Sequence, residues 1–79
     1  MRLDKFLKVS RVIKRRTVAN EACDAGRVSV NGKIAKAGLE IKPGDQIEIR
    51  FGSNTAKFEV LSITEQAKKE EAHMMYKSL

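Results

Sequence analysis

At Gly26 the apolar spacing of this chain changes period, and that change sets its fold class. Before Gly26 the apolar residues recur at helical spacing; after it they alternate. In residues 2–10, Leu3, Phe6, Leu7 and Ser10 share one face at about 100° per residue, with Lys5 and Lys8 on the opposite one. Val9 and Val12 fall off that stripe, so the first helix is expected to end near Ser10 and residues 11–16 to form a short basic connection. Thr17 is the expected N-cap of a second helix that runs to about Ala25. Its apolar face is Val18, Ala19, Ala22 and Cys23, and Asn20, Glu21 and Asp24 face outward. Gly26 then takes the left-handed position that closes a helix.

Beyond Gly26, Val28 and Val30 lead into Asn31-Gly32, a hairpin signal. A two-residue turn would place Ile34 on the face away from both valines. A three-residue loop with a bulge would return it to their side, and burial favours the bulged form. Lys42-Pro43-Gly44-Asp45 has the composition of a type II turn. Ile47, Ile49 and Phe51 alternate with Gln46, Glu48 and Arg50; Gly52-Ser53-Asn54 turns the chain; Ala56, Phe58 and Val60 alternate with Lys57 and Glu59. The expected fold is α+β: two N-terminal helices packed on a small bent antiparallel sheet, with a C-terminal helical tail over residues 64–79. Ala67, Ala72, Met75, Tyr76 and Leu79 are the expected contacts of that tail, and Lys68-Lys69-Glu70-Glu71 is read as solvated helix surface.

Composition narrows the chemistry. With 79 residues the chain makes one small domain. Its single cysteine, Cys23, rules out an internal disulfide, and Cys23 with the single histidine, His73, cannot make a four-ligand zinc site. A Cys–His nucleophile pair would need these two side by side. Cys23 instead lies on an apolar helix face as a buried structural thiol, and His73 reads as a surface residue. Asp4, alone among cations in the first twenty residues, is expected to pair with a nearby arginine and orient it. No phosphate-binding glycine loop is present. The chain is read as non-enzymatic, without metal or cofactor. No apolar run approaches 18 residues, and charges interrupt the first apolar stretch, so neither a membrane span nor a signal peptide is expected. The expected location is cytoplasmic and the expected state a monomer.

The charge is segregated. Residues 1–36 hold ten basic side chains (Arg2, Lys5, Lys8, Arg11, Lys14, Arg15, Arg16, Arg27, Lys33 and Lys36) against three acids, Asp4, Glu21 and Asp24. Residues 37–79 hold six basic and seven acidic groups. A pI near 9.8 with its positive excess in one half of a small domain points to a polyanion-binding face. The N–H groups at the start of the second helix, beside Arg15 and Arg16, suit a phosphate. Phe6, Phe51 and Phe58 sit on apolar faces, which assigns them to packing rather than base stacking. Recognition by phosphate geometry and shape suits structured double-helical RNA.

Four motifs, in order, resemble one family. Arg2-Leu3-Asp4-Lys5-Phe6-Leu7 is similar to the opening of the small RNA-binding domain named after ribosomal small-subunit protein S-four. The likeness continues through Arg15-Arg16-Thr17-Val18-Ala19, through Gly26-Arg27-Val28-Ser29-Val30-Asn31-Gly32-Lys33, and through Lys42-Pro43-Gly44-Asp45. Many relatives place a glycine between the two helices, where this chain has Arg11-Val12-Ile13-Lys14. The resemblance implies two helices against a bent sheet, with residues 1–63 as the RNA-binding domain and residues 64–79 as an extension. It implies RNA contacts at Arg2, Lys5, Arg15, Arg16, Asn31 and Lys33. Charge and position add Lys8, Arg11, Lys14 and Arg27, and Asp4 carries over as a motif residue.

Stand-alone domains of this kind resemble the heat-shock protein fifteen group and, in length and tail sequence, most of all the RqcP group of ribosome-associated quality control. That likeness implies binding to ribosomal RNA and tRNA on obstructed large subunits carrying peptidyl-tRNA, alongside a factor that tails stalled chains with alanine. Two other readings stay open: a general structured-RNA or nucleoid-binding protein, and an accessory RNA-binding subunit of an RNA-modifying enzyme.

Overall fold

The computed structural model describes residues 1–64 and 68–79. Helices α1 (Leu3–Val9) and α2 (Arg16–Asp24) are followed by strands β1 (Val28–Val30), β2 (Lys33–Ile34), β3 (Gln46–Phe51) and β4 (Asn54–Val60), then a single helical turn α3 (Lys69–Ala72) and strand β5 (Tyr76–Ser78). The five strands form one antiparallel sheet in the order β2-β1-β3-β4-β5. Apolar residues align across it: Val28 opposite Ile49, Val30 opposite Ile47, Ile47 opposite Phe58. Leu3, Phe6 and Leu7 of α1 and Ala19 and Cys23 of α2 pack on that face. No helix among the described residues is long and apolar enough to cross a membrane.

Neither long helix starts on a side-chain cap. In α1 the orphan donors are met by a strap of chain between β2 and β3. Leu3 N–H donates to the Leu39 carbonyl at 2.8 Å and Asp4 N–H to that of Ala37 at 3.2 Å, while Ile41 N–H donates back to the Met1 carbonyl at 3.0 Å. For α2 the expected cap, Thr17, is the second residue of the helix. Extended Arg15 takes the cap position instead, and Arg16 opens the helix. At the other end the expectation holds. Gly26 has φ +74°, its N–H donates to the Cys23 carbonyl, and Arg27 N–H donates to that of Ala22, a Schellman closure.

The hairpin after β1 takes the two-residue form, not the bulged one. Val30 pairs with Lys33 and Ser29 with Ile34, around Asn31 and Gly32 at φ +53° and +84°. These are the angles of a type I′ turn, whose twist matches that of the strands. Ile34 is therefore 71% exposed, and Ala35 enters the core in its place, with its N–H on the Val28 carbonyl at 2.9 Å. Ile34→Thr is expected to shift unfolding free energy by no more than about 0.5 kcal/mol, as for an exposed position; urea denaturation measures it.

The tail needs a larger correction. Residues 64–79 do not form a continuous helix: beyond the single turn at Lys69–Ala72 the chain becomes β5, with Val60 opposite Tyr76 and Phe58 opposite Ser78. Ala72 and Met75 are buried, Leu79 is exposed, and Ala67 lies outside the described residues. The outer edge of β4 would otherwise leave backbone groups unpaired, and a short helix with little apolar face is marginal by itself. Tyr76 gains a tilted ring contact with Phe58, centroids 5.3 Å apart. Phe51, expected inside with Phe6 and Phe58, is 47% exposed beside the Gly52-Ser53 turn, where the sheet runs past its covered part.

Candidate nucleic-acid interface

One buried carboxylate organises the basic face. Asp4 is 2% exposed in the first turn of α1. The Lys5 N–H donates to its Oδ1 at 2.8 Å, and Arg2 Nε lies 3.3 Å from the same oxygen. Arg16 Nε donates to Oδ2 at 3.2 Å and Asn20 Nδ2 to Oδ2 at 3.4 Å. Asp4 thus holds two guanidiniums, one from the start of each helix. Both arginines remain about half exposed, 50% for Arg2 and 47% for Arg16. Each uses Nε towards Asp4, so the terminal Nη donors are not spent on it, and the trio keeps one excess positive charge. Burial alone would raise the Asp4 pKa. Hydrogen bonds from Arg16, Asn20 and the Lys5 N–H, with the Arg16 charge, outweigh that and hold the carboxyl below its ordinary value of 3.8.

Beside this cluster, Asp4, Arg16, Thr17, Asn20 and Glu21 line a shallow depression of about 400 Å³. With Arg15 extended at the cap, the N–H groups of Arg16, Thr17 and Val18 have no acceptor within the helix; the first intrahelical bond runs from Ala19 N–H to the Arg15 carbonyl. Lys8, Arg11, Lys14 and Arg15 are exposed around the connection between the helices, and Lys5 is half-buried. Arg11 occupies the connection at φ +63°, a left-handed conformation that glycine adopts without steric cost.

The hairpin forms a second basic area. Lys33, Lys36 and Lys42 border a depression of about 760 Å³ that includes Ile34 and Leu39. Asn31 is committed within the chain. Its Nδ2 donates to Asp45 Oδ1 at 3.1 Å, and its Oδ1 accepts the Gln46 N–H at 3.0 Å. The Lys42 N–H donates to Asp45 Oδ2 at 3.0 Å, so the two turns are tied together. Asn31 therefore positions the hairpin. Arg27 is not brought to the Asp4 cluster; it lies with Arg50 on another side of α2. Asn20, bonded to Asp4, and Lys42, beside the hairpin, are candidate residues that sequence reasoning did not single out. Asn20 stands four residues after Arg16, a helical spacing that places both on one face.

Among the described residues no group of three or more His, Cys, Asp or Glu is placed to hold a metal. Cys23 is buried, and burial, with lesser contributions from Asp4 and Asp24, pushes its thiol up to about 11. The folded protein is expected to resist iodoacetamide at pH 8, and Cys23→Ala to cost roughly 1 kcal/mol without weakening RNA binding; alkylation monitored by mass spectrometry and a melting curve check both.

Two short helices on an antiparallel sheet, with arginines gathered at the helix starts, define the class: residues 1–47 match the S4 domain family. Proteins called RQC P-site tRNA stabilizing factor, from Halalkalibacterium halodurans and Bacillus subtilis, are each 55% identical to this chain over 76 residues, covering 96% of it and 86% and 88% of their own lengths. A trimeric structure of Vibrio cholerae heat shock protein 15 superposes with a TM-score of 0.90 at 31% identity, covering 100% of this chain and 81% of that one. The chain belongs to the family of S4-domain proteins that includes the RQC P-site tRNA stabilizing factors.

Proposed function

We propose that this protein is a cytoplasmic, non-enzymatic RNA-binding protein that bridges ribosomal RNA and tRNA on obstructed large ribosomal subunits carrying peptidyl-tRNA, and so supports C-terminal alanine tailing of stalled chains. The observation that carries the reading is the Asp4 clamp: two half-exposed arginines held in place beside the uncapped N–H groups of α2. Pre-positioned guanidiniums lose less entropy on meeting a phosphate and can each offer two parallel donors. Lys5, Lys8, Arg11, Lys14 and Arg15 extend this face, and the Lys33 hairpin supplies a second contact area, enough for two RNA segments. The relatives named for stabilizing P-site tRNA support the choice of RNA. Such a surface reads backbone and shape, not base sequence. Binding only the tRNA-occupied subunit stabilises that state by the difference in affinity. In this reading the working form is a monomer.

Sedimentation of the native protein tests the reading. It is expected in large-subunit fractions bearing peptidyl-tRNA, and recovery among free or nucleoid fractions would defeat it. The affinity for that complex is expected to fall linearly with salt on a log–log plot, with a slope of about −0.7 to −0.9 per phosphate contact. A flat salt response would remove the electrostatic basis.

A further inference from the structure

We propose that the groove between α2 and the Phe51 end of β3 docks an acidic, amphipathic segment of a protein partner. Helical and strand periodicity both assign Val18 and Phe51 to the core, yet they are 46% and 47% exposed. With Ala22 and Ala25 they line one groove of about 410 Å³. At its end stand Arg27 and Arg50, whose backbones are joined by the Arg50 N–H on the Arg27 carbonyl at 2.9 Å. The same two arginines border an adjoining depression with Gly26 and Gly52. Among the described residues neither has an ion-pair partner.

Exposed apolar residues rimmed by charge occur at protein-binding surfaces. Two unneutralised guanidiniums at one end favour anionic groups, which a protein segment supplies as carboxylates. The occupant is therefore a segment with apolar anchors on Val18 and Phe51 and acidic side chains on Arg27 and Arg50. Nucleic acid fits less well: the floor is aliphatic apart from Phe51 and offers bases a single aromatic face. At about 100° per residue, Val18, Ala22 and Ala25 lie on the side of α2 opposite Arg16 and Asn20. The groove thus stays open while the Asp4 face is occupied, and the inference does not depend on what that face binds.

The test uses the full chain, labelled with ¹⁵N. It is titrated with a roughly 15-residue helical peptide carrying Leu anchors at i, i+3, i+4 and i+7 and Glu elsewhere, with its Lys-for-Glu counterpart, and with a single-stranded RNA. The acidic peptide is expected to shift the amides of Val18, Ala22, Ala25 and Phe51, with and without saturating tRNA. Phe51→Ser should weaken that binding about tenfold or more and leave tRNA binding intact. The double variant Arg27→Glu/Arg50→Glu should prefer the Lys peptide. Three results would overturn the proposal: no shift at the groove with the acidic peptide; shifts there with RNA instead; or concentration-dependent shifts without peptide, which would assign the groove to a second copy of the chain.

Discussion

Asp4→Ala is expected to lower stability more than any other single change on the basic helical face, and to weaken RNA binding as well. The substitution removes a buried acceptor for Arg16 and Asn20 and the counter-charge of Arg2. Hydrogen bonds to a charged group contribute roughly 1.5–3 kcal/mol each. Both arginines are half exposed and recover water, so the net loss is expected at about 2 kcal/mol, or roughly 8–16 °C in Tm for a domain of this size. The freed guanidiniums must then be ordered by the RNA, which costs affinity. Acid titration isolates the charge. The Asp4 pKa is depressed on folding, so its contribution is complete above about pH 4, its unfolded value being 3.8, and is lost as pH falls through the folded value. Asp4→Asn should lack that acid-limb loss when melting temperature is followed from pH 6 to pH 2. An unchanged acid limb in the variant would exclude Asp4 as the group responsible.

Arg16→Ala is expected to divide its effect differently. Asp4 keeps Arg2, Asn20 and the Lys5 N–H as partners, so stability should fall by only about 1 kcal/mol, the low side for a partly solvated charged hydrogen bond. Association with tRNA-occupied large subunits should drop about tenfold to a hundredfold, the equivalent of one charge-assisted pair to phosphate. Arg16→Lys should restore only part of this, because an ammonium cannot present two parallel donors to a phosphate. The stability effects of Asp4→Ala and Arg16→Ala should not add in the double variant. Full ribosome association by folded Arg16→Ala would remove Arg16 from the interface.

At Arg16 the fold leaves two roles compatible. Pairing with Asp4 and contacting RNA stand as rivals in the linear pattern. In the fold, Nε makes the first contact at 3.2 Å while nearly half of the side chain stays in solvent. Asn31, expected as an RNA contact, is exposed, and its amide also joins the hairpin to the turn at Asp45.

Local pattern alone determined a good deal here. Helical spacing placed Leu3, Phe6 and Leu7 inside, and Gly26 closed α2 as its position implied. Strand alternation put Ile47, Ile49, Phe58 and Val60 in the core, and Cys23 was legible as buried. The segregated charge marked the basic face, and Asp4 among cations marked its organiser. Each of these rests on interactions within a few residues. Contacts between distant residues decided the rest. The strap at residues 37–41 takes over the capping of α1, and β5 forms because β4 has an open edge. The turn's twist outweighs burial of Ile34. The sheet outruns its helical cover at Phe51, and α2 turns Val18 away from the core, leaving a groove that neither periodicity foretells. Periodicity says which residues share a face; only packing says what, if anything, covers it.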